Sequence, residues 1–407
     1  MTSILKILLD KFEQNQEKID QFFARKFKNP LFYNSVDLRH SGFKIAPIDV
    51  NCFPAGSNNL SEASRETSKI LADEFLSHNF PGASKIAILS ENHTRNLKYL
   101  ENALTLQKII AGDGKRKVKI VSLIEEIKNT LEINLENGQK ISIEKLIRNG
   151  NKITTQNDFE PHIIISNNDF THGVDEILKN IDQPIMPSTN LGWHLRKKSV
   201  HFDIYNQITE EFCQIIDLDP WLISTAHRNC ENVNFKAKIG VGPLAQAVDD
   251  VIFHLKEKYK QYGIESDPYC YVKADNGTYG MAVMTVKSGA EILEINKKNR
   301  NKMNSIKGSI QNTTAIIQEG VPTRDLVKNI IAEPLIYLIG GKVAGNLFRV
   351  NGNRDKKISL NAAGMEFYDI NNVDENDLDL GLKKEEVTKV YEVIAKLSAL
   401  ASSQESY

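Results

Sequence analysis

Tyr271-Val272-Lys273-Ala274-Asp275-Asn276-Gly277-Thr278-Tyr279-Gly280-Met281-Ala282-Val283 is the stretch from which the fold is read. A short apolar run delivers a lysine, a loop of small residues follows, and a second apolar run resumes. That is the pattern of two strands joined by a glycine-bearing loop. Gly277 and Gly280 carry no Cβ, so backbone N–H groups can approach phosphate oxygens there, and Lys273 sets a compact positive charge beside them. A plain hairpin with a surface lysine would fit the same residues. The downstream segments weigh against it: Ala315-Ile316-Ile317-Gln318-Glu319-Gly320-Val321-Pro322, then Pro334-Leu335-Ile336-Tyr337-Leu338-Ile339-Gly340-Gly341-Lys342, then Arg349, then Leu360-Asn361-Ala362-Ala363-Gly364.

Taken in this order, the segments resemble the ATP-binding half of the ATP-grasp ligases, glutathione synthetase above all, over roughly the last third of the chain. The resemblance implies that Lys273, Asn276, Gly277 and Gly280 hold ATP phosphates. It implies that Gln318, Glu319 and Val321 line the adenine and ribose, and that Arg349 steadies an acyl phosphate near Asn361.

The chain has 407 residues, 41% of them apolar, enough for two or three globular domains with their own cores. Its formal net charge of −1 provides no global basic field for nucleic acid or an anionic membrane. The apolar run after Met1 is too short for a signal peptide, and no apolar run is long enough to span a bilayer. Cys52, Cys213, Cys230 and Cys270 are far apart and form no CxxC pair, which argues against a zinc site or a disulfide framework. A cytoplasmic location is therefore expected.

At the start of the chain, Ile4, Leu8, Phe12, Ile19, Phe22 and Phe23 recur at helical spacing and predict a packing helix within 1–28. Residues 33–60 place polar groups between short β-like runs. Asp49 and Asn51 are two apart, so on a strand they share a face and offer hard oxygens to a magnesium ion. Asp37 joins them if its strand pairs with theirs. An Asx-rich turn cluster is the competing reading. In glutathione synthetase the last metal-binding strands follow the helix that comes after the Asn-Ala-Ala-Gly segment. Here that helix is expected over Lys384–Ala401, and the strands resembling the missing pair are Val36-Asp37-Leu38 and Ile48-Asp49-Val50-Asn51. The comparison implies a circularly permuted ATP-grasp whose metal ligands, Asp37, Asp49 and Asn51, come from the N-terminal region. The spacing from Asp37 to Asp49 exceeds the family's.

Residues 85–190 alternate strands and helices, with Asn137-Gly138 marking a hairpin. Two buried-type strands, Lys85–Leu89 and His162–Ile165, empty into polar loops, where open α/β sheets bind ligands. Arg95 is the candidate clamp for a substrate carboxylate, with Asn58, Asn59 and Asn168 beside it. Helix capping by Asn92, Thr94 and Asp169 is the competing use of these loops. The basic cluster at 192–202 contains Lys197 and Lys198. In ATP-grasp order Lys198, or Lys197, matches the first ATP-contacting lysine, while a solvated face is the plainer reading. Gly240-Val241-Gly242-Pro243-Leu244-Ala245 imitates a dinucleotide fingerprint, but the preceding residues 232–238 are too polar for the buried strand that motif needs. The Lys297–Lys302 run reads as a solvated loop.

Nearly end to end, and most clearly at Asp37–Asn59, Trp193–Phe202 and Lys273–Gly280, the chain resembles the bacterial glutamate–cysteine ligases unrelated to the glutamine-synthetase-like enzymes. The fold class implied is α/β: an α+β ATP-grasp-like unit, circularly permuted, with an additional Rossmann-like α/β substrate domain. The implied division is 1–60 (helix and metal strands completing the ATP site), 61–190 (substrate domain), 191–265 (small lobe) and 266–407 (C-terminal lobe). The implied reaction joins glutamate, through its γ-carboxylate, to cysteine, using ATP and Mg2+, as the first step of glutathione synthesis. Two alternatives stay open: another ATP-grasp carboxylate–amine ligase, such as a glutathione synthetase-like one, or a non-catalytic ATP-binding regulatory protein. The partners expected are these small molecules, with assembly into a homo-oligomer left open.

Overall fold

The computed structural model describes residues 3–92, 95–276, 283–297, 299, 303 and 313–406. It opens with two helices, α1 (Ile4–Gln14) and α2 (Gln16–Lys26), where one was expected. Asn15, at φ −117° and ψ 20°, breaks the helix between them. The break lets Ile4, Leu8 and Phe12 on one segment and Ile19 and Phe22 on the other enter the same core.

Strands β1 (Tyr33–His40) and β2 (Ile45–Asn51) follow, then α3 (Glu62–Asn79), β3 (Lys85–Ser90), α4 (Leu97–Ala111) and β4 (Lys117–Ser122). Next come β5 (Thr130–Asn134), β6 (Lys140–Asn149), β7 (Lys152–Thr155), β8 (Ile163–Asn167) and β9 (Ile185–Met186). Helix α5 (Lys198–Ile216), β10 (His227–Glu231) and α6 (Val241–Gln261) precede the hairpin β11 (Cys270–Ala274) and β12 (Val283–Val286). The chain continues through α7 (Gly289–Leu293), β13 (Thr314–Glu319), β14 (Leu326–Val327), β15 (Ile330–Ile339), β16 (Lys342–Val350), β17 (Glu366–Asp369), β18 (Leu378–Asp379) and α8 (Lys384–Gln404).

Three sheets result. The first has the order β17-β16-β15-β1-β2, with β14 and β18 attached. β1 pairs antiparallel with β15, so the two N-terminal strands extend a sheet whose other members come from the last quarter of the chain. Gly340 and Gly341, both at positive φ, make the two-residue turn from β15 to β16, a conformation that side chains with a Cβ resist. Even-numbered residues of β1 and β15 (Val36, Leu38, Ile336, Leu338) pack on α1, α5 and α8. Their odd-numbered neighbours Tyr33, Leu335, Tyr337 and Ile339 pack against α3 and α4. Further along the same odd face stand Asp37, Arg39 and Glu333, where apolar cover ends.

The second sheet, β10-β13-β11-β12, is antiparallel and lies on α6 and α7 through Val272, Ala274, Ala315 and Ile317. The expected division at 265/266 runs through this sheet, because β10 precedes it and β11–β13 follow. The third sheet, β5-β6-β4-β3-β8-β9, has a parallel centre formed by β6, β4, β3, β8 and β9. Tyr33 binds it to the first: its hydroxyl donates to the Ser166 carbonyl at 2.6 Å and accepts from Asn167 Nδ2 at 2.9 Å. No described helix is long and apolar enough to cross a membrane.

Candidate active site

Between the first and second sheets lies a cleft lined by Asp37, Arg39, Asp49, Lys198, Tyr271, Lys273, Glu333, Arg349, Ser359 and Asn361, with Ile48, Ala274 and Val283 as its apolar walls. Six of these residues were singled out from sequence: Asp37, Asp49, Lys198, Lys273, Arg349 and Asn361. Gly277 and Gly280 of the expected phosphate loop lie outside the described residues.

Each lysine reaches the cleft for a local reason. Lys273 stands on β11 two residues after Tyr271, so alternation turns both away from the α6 core. Its Nζ is 2.6 Å from Gln318 Oε1 and 3.3 Å from the Ile48 carbonyl. Burial pushes its pKa down to about 8, although Asp49 pulls the other way. Lys198 opens α5. The end of β11 holds that helix: Ser199 N and Oγ donate to the two oxygens of the Asp275 carboxylate at 2.8 and 2.7 Å. Asp275 thus caps α5 across sequence and sets Lys198 beside Lys273. Lys198 Nζ lies 2.6 Å from Asp49 Oδ1, whereas Lys197 points to Glu231 at 3.3 Å. The structure therefore places Lys198, of the two, in the cleft.

Asp37 and Asp49 are directly opposed across the β1–β2 ladder, next to a register shift after Asp37. Opposed like charges in a sheet are unfavourable unless a cation stands between them. Burial, opposed by Arg349 and reinforced by Glu333 and Asp49, raises the Asp37 carboxyl to about 6. Asp37 Oδ1 lies 3.0 Å from Arg349 Nη2 but forms no aligned hydrogen bond and is out of contact with solvent. Burial also works against ionisation of Asp49, yet Lys198 and Lys273 outweigh it and hold its pKa below the usual value. Two hard carboxylates facing each other across the ladder fit a magnesium ion, which takes one or two protein carboxylates and completes its shell with phosphate and water. Among the described residues no cluster of three or more His, Cys, Asp and Glu is assembled for a metal. Asn51 does not line the cleft; its Oδ1 accepts from Phe53 N at 2.9 Å and shapes the turn after β2.

Arg39 and Glu333 were not singled out from sequence. Glu333 Oε2 receives Arg39 Nε at 3.0 Å and its Oε1 receives Arg349 Nη1 at 2.8 Å, with Arg39 and Glu333 both 1% exposed. Glu333 and Arg349 are cross-strand partners. Arg39 also donates to the Tyr271 hydroxyl at 2.6 Å, the Val321 carbonyl at 3.1 Å and the Ile358 carbonyl at 2.7 Å. One guanidinium so joins both sheets to the loop that carries Ser359 and Asn361. Asn351 Nδ2 holds the same loop through the Leu360 carbonyl at 3.2 Å.

The expected adenine segment is more buried than a free recognition edge. Glu319 Oε2 receives Lys44 Nζ at 2.8 Å and neither residue is exposed, while Glu319 Oε1 has no hydrogen-bond donor. The Val321 carbonyl is occupied by Arg39, and Gln318 by Lys273. Asn276 reaches Thr314 Oγ1 only at 3.5 Å.

The expected amino-acid group is not in this cleft. Arg95 is exposed just before α4, whose cap is Asn96. Asn58 and Asn59 sit on a single 3-10 turn, with the Asn58 carbonyl bound by Arg65. Asn168 Oδ1 accepts from Phe170 N in a local turn. Two other carboxamides organise this region: Asn102 Oδ1 takes Gly56 N and Ser57 N, both at 2.9 Å, and Asn102 Nδ2 donates to Asn167 Oδ1 at 3.0 Å. Sequence offered no sign of this, because Asn102 lies within an ordinary apolar helix pattern.

Behind the cleft, Glu405 is buried against Arg196 and His201. Burial favours its neutral form, but Arg196 first and His201 after it hold its pKa down to about 2, below the 4.5 of a free glutamate. This depressed acid contributes stability that is fully present above pH 4.5 and is lost as pH falls toward 2. Urea unfolding at pH 6 and pH 3.5 is expected to show a smaller acid loss for the double variant Arg196→Met/Glu405→Gln, which removes both buried charges, than for the unaltered protein. Equal losses would remove Glu405 from the acid response.

A sequence profile for a family described as glutamate-cysteine ligase matches residues 10–406. A Methylobacillus flagellatus KT crystal structure, provisionally named a gamma-glutamylcysteine synthetase, is 33% identical with a TM-score of 0.90, covering 99% of this chain and 96% of that one. A glutathione synthetase-like effector from Globodera pallida, in its apo form, is 9% identical with a TM-score of 0.40, over 85% of this chain and 82% of that one. D-alanyl-alanine synthetase A from Vibrio cholerae O1 biovar eltor str. N16961 is 11% identical with a TM-score of 0.34, over 77% and 80%. The last two likenesses are too loose to argue from. No curated protein sequence matches.

Proposed function

The chain belongs to the glutamate–cysteine ligase family, and from that premise we propose that it joins the γ-carboxylate of L-glutamate to the amine of L-cysteine with conversion of ATP to ADP and phosphate. The observation that carries this reading is a cleft in which two lysines, two arginines and two opposed carboxylates meet between two sheets. A free carboxylate is a poor electrophile. One glutamate γ-oxygen attacks the γ-phosphorus of ATP, the bond to the β–γ bridging oxygen breaks, and ADP leaves. The cysteine amine then attacks the acyl carbon, phosphate departs with the C–O bond electrons, and the ammonium loses its proton to solvent.

Lys198 and Lys273 hold the β- and γ-phosphates as point charges. Asp37 and Asp49 would hold magnesium, with Asn51 as a candidate oxygen beyond the cleft lining. When bound, magnesium neutralises charge on the transferring phosphoryl group. Arg349, already oriented by Glu333, places its guanidinium where the acyl phosphate and the tetrahedral intermediate carry negative charge. The Asn361 loop closes that side and excludes water, which would hydrolyse the acyl phosphate. Gln318, tied to the cleft by Lys273, remains the proposed nucleotide edge, with Glu319 and Val321 behind it, engaged by Lys44 and Arg39. Arg95, Asn58, Asn59 and Asn168 remain the proposed glutamate-side group, at the carboxyl end of the third sheet.

The fold reading is a circularly permuted ATP-grasp, supported by the pairing of β1 with β15, which sets Asp37 opposite Leu335 and carries β2 with Asp49 alongside. In that reading the third sheet is the substrate domain. The test is ADP release from Mg-ATP with glutamate, with and without cysteine, and product identification by mass. Turnover that needs both amino acids and yields γ-glutamylcysteine supports the proposal. Turnover with a different acid and amine moves the substrate assignment, and ATP binding without turnover on any pair overturns it.

A further inference from the structure

Glu405 lies beyond α8, far in sequence from every cleft residue, yet its carboxylate is wholly buried. It receives Arg196 in a two-pronged pair, Nε to Oε2 and Nη2 to Oε1, both at 2.7 Å. His201 Nδ1 stands 2.8 Å from Glu405 Oε1, and His201 Nε2 is 3.1 Å from Ser398 Oγ on α8. A fork bound by two parallel contacts has its plane fixed, so its remaining N–H groups have fixed directions. One of them, on Nη1, donates to the Val50 carbonyl at 2.8 Å. Val50 sits between Asp49 and Asn51 on β2, the edge strand of its sheet, held there by β1 on one side only. The same guanidinium lies 5.0 Å from the centre of the Trp193 ring, and Lys198 Nζ lies 4.4 Å from it.

We propose that Arg196 and Glu405 are positioning residues for the nucleotide site: the fork clamped by Glu405 sets both the β2 strand that carries Asp49 and the Trp193 ring against which Lys198 rests. This inference rests on the reading of Lys198 and Asp49 given above. Neither Arg196 nor Glu405 lines the cleft, so their effect passes through the groups they hold. Outer partners of this kind change metal affinity or activity by about 10- to 100-fold.

The test compares the KM for Mg-ATP, the KM for each amino acid, kcat and the melting temperature in Arg196→Met, Arg196→Lys, Glu405→Gln and the double variant Arg196→Met/Glu405→Gln. The expected result is an Mg-ATP KM raised about tenfold in Arg196→Met, with both amino-acid KM values within about twofold. Arg196→Lys keeps the charge without the fork and is expected to leave the Mg-ATP KM raised. Glu405→Gln leaves Arg196 buried without its counter-charge, so that single variant can fail to fold. The double variant removes both charges. It is expected to regain the melting temperature but not the Mg-ATP KM.

A purely structural pair predicts the opposite, a lower melting temperature with unaltered KM values. Recovery of the Mg-ATP KM in the double variant or in Arg196→Lys overturns the inference, as does an equal rise in all three KM values. Lys198→Met separates the two layers. A raised Mg-ATP KM there, with an unaltered one in Arg196→Met, overturns the inference alone. An unaltered value in Lys198→Met overturns the phosphate role of Lys198 and the inference with it.

Discussion

Asp49→Asn is expected to lower kcat by about a thousandfold or more at saturating magnesium, a loss of roughly 4 kcal/mol from the transition state. The carboxylate stands directly across the ladder from Asp37 and 2.6 Å from Lys198. Asparagine keeps the shape and one hard oxygen but removes the charge that a divalent ion needs when it also carries a polyphosphate. Affinity for ATP itself should change far less, because Lys198 and Lys273 remain and one repelling anion is gone. The predicted signature is therefore a kcat effect much larger than the effect on nucleotide binding, with an unchanged circular dichroism spectrum. Residual ligase activity within tenfold of the unaltered protein, with the fold intact, would dismiss Asp49 as a metal ligand. Asp37→Asn tests the partner in the same way.

Glu333→Gln is expected to destabilise the fold by about 3–5 kcal/mol, or to prevent soluble accumulation. Glu333 is the common anion for two buried guanidiniums, Arg39 and Arg349. Neutralising it leaves Arg349 with Asp37 alone and Arg39 with only neutral acceptors, the Tyr271 hydroxyl and two carbonyls. Breaking one member of a buried ionic set costs more than the set contributes over an apolar replacement, since the remaining charges have no water to retreat to. The comparison that gives the result meaning is Lys69→Ala. Lys69 pairs with Glu66 at 2.7 Å on the surface of α3, where screening leaves such pairs about 0–1 kcal/mol. Urea midpoints for the two variants should differ widely. If they coincide, the Arg39–Glu333–Arg349 row is not a stabilising ionic set.

Much of the site was legible because short-range pattern and side-chain chemistry coincide there. Lys273 alternates with Val272 on a strand, which alone decides that one faces the core and the other the cleft. Gly340-Gly341 announces a tight turn through a backbone geometry that only glycine adopts freely. Asp49 and Asn51 were read as sharing a strand face, and the strand exists, but the turn at Phe53 takes the Asn51 oxygen. That contact depends on where the chain goes after β2, which spacing does not encode. The division at 265/266 is one that the family resemblance implies, while β10 crosses it to pair with β13. Arg39 and Glu333 carried no motif: Arg39 is one of several polar residues at 34–41, and Glu333 is a single charge within an apolar run.

By itself, then, the sequence determined most of the strands and helices, a short set of candidate lysines and carboxylates, and the family-like order of the C-terminal motifs. Periodicity, glycine backbone freedom and charge type are local properties, and they survive in a linear string. Only the tertiary structure decided that Asp37 opposes Asp49, that Arg39 shares Glu333 with Arg349, and that Glu405 clamps Arg196. Arg39 and Glu333 are 294 positions apart and Arg196 and Glu405 are 209 apart. Such pairs are selected by the packing of whole sheets and helices, in which burial makes an unpaired charge intolerable and so dictates its partner.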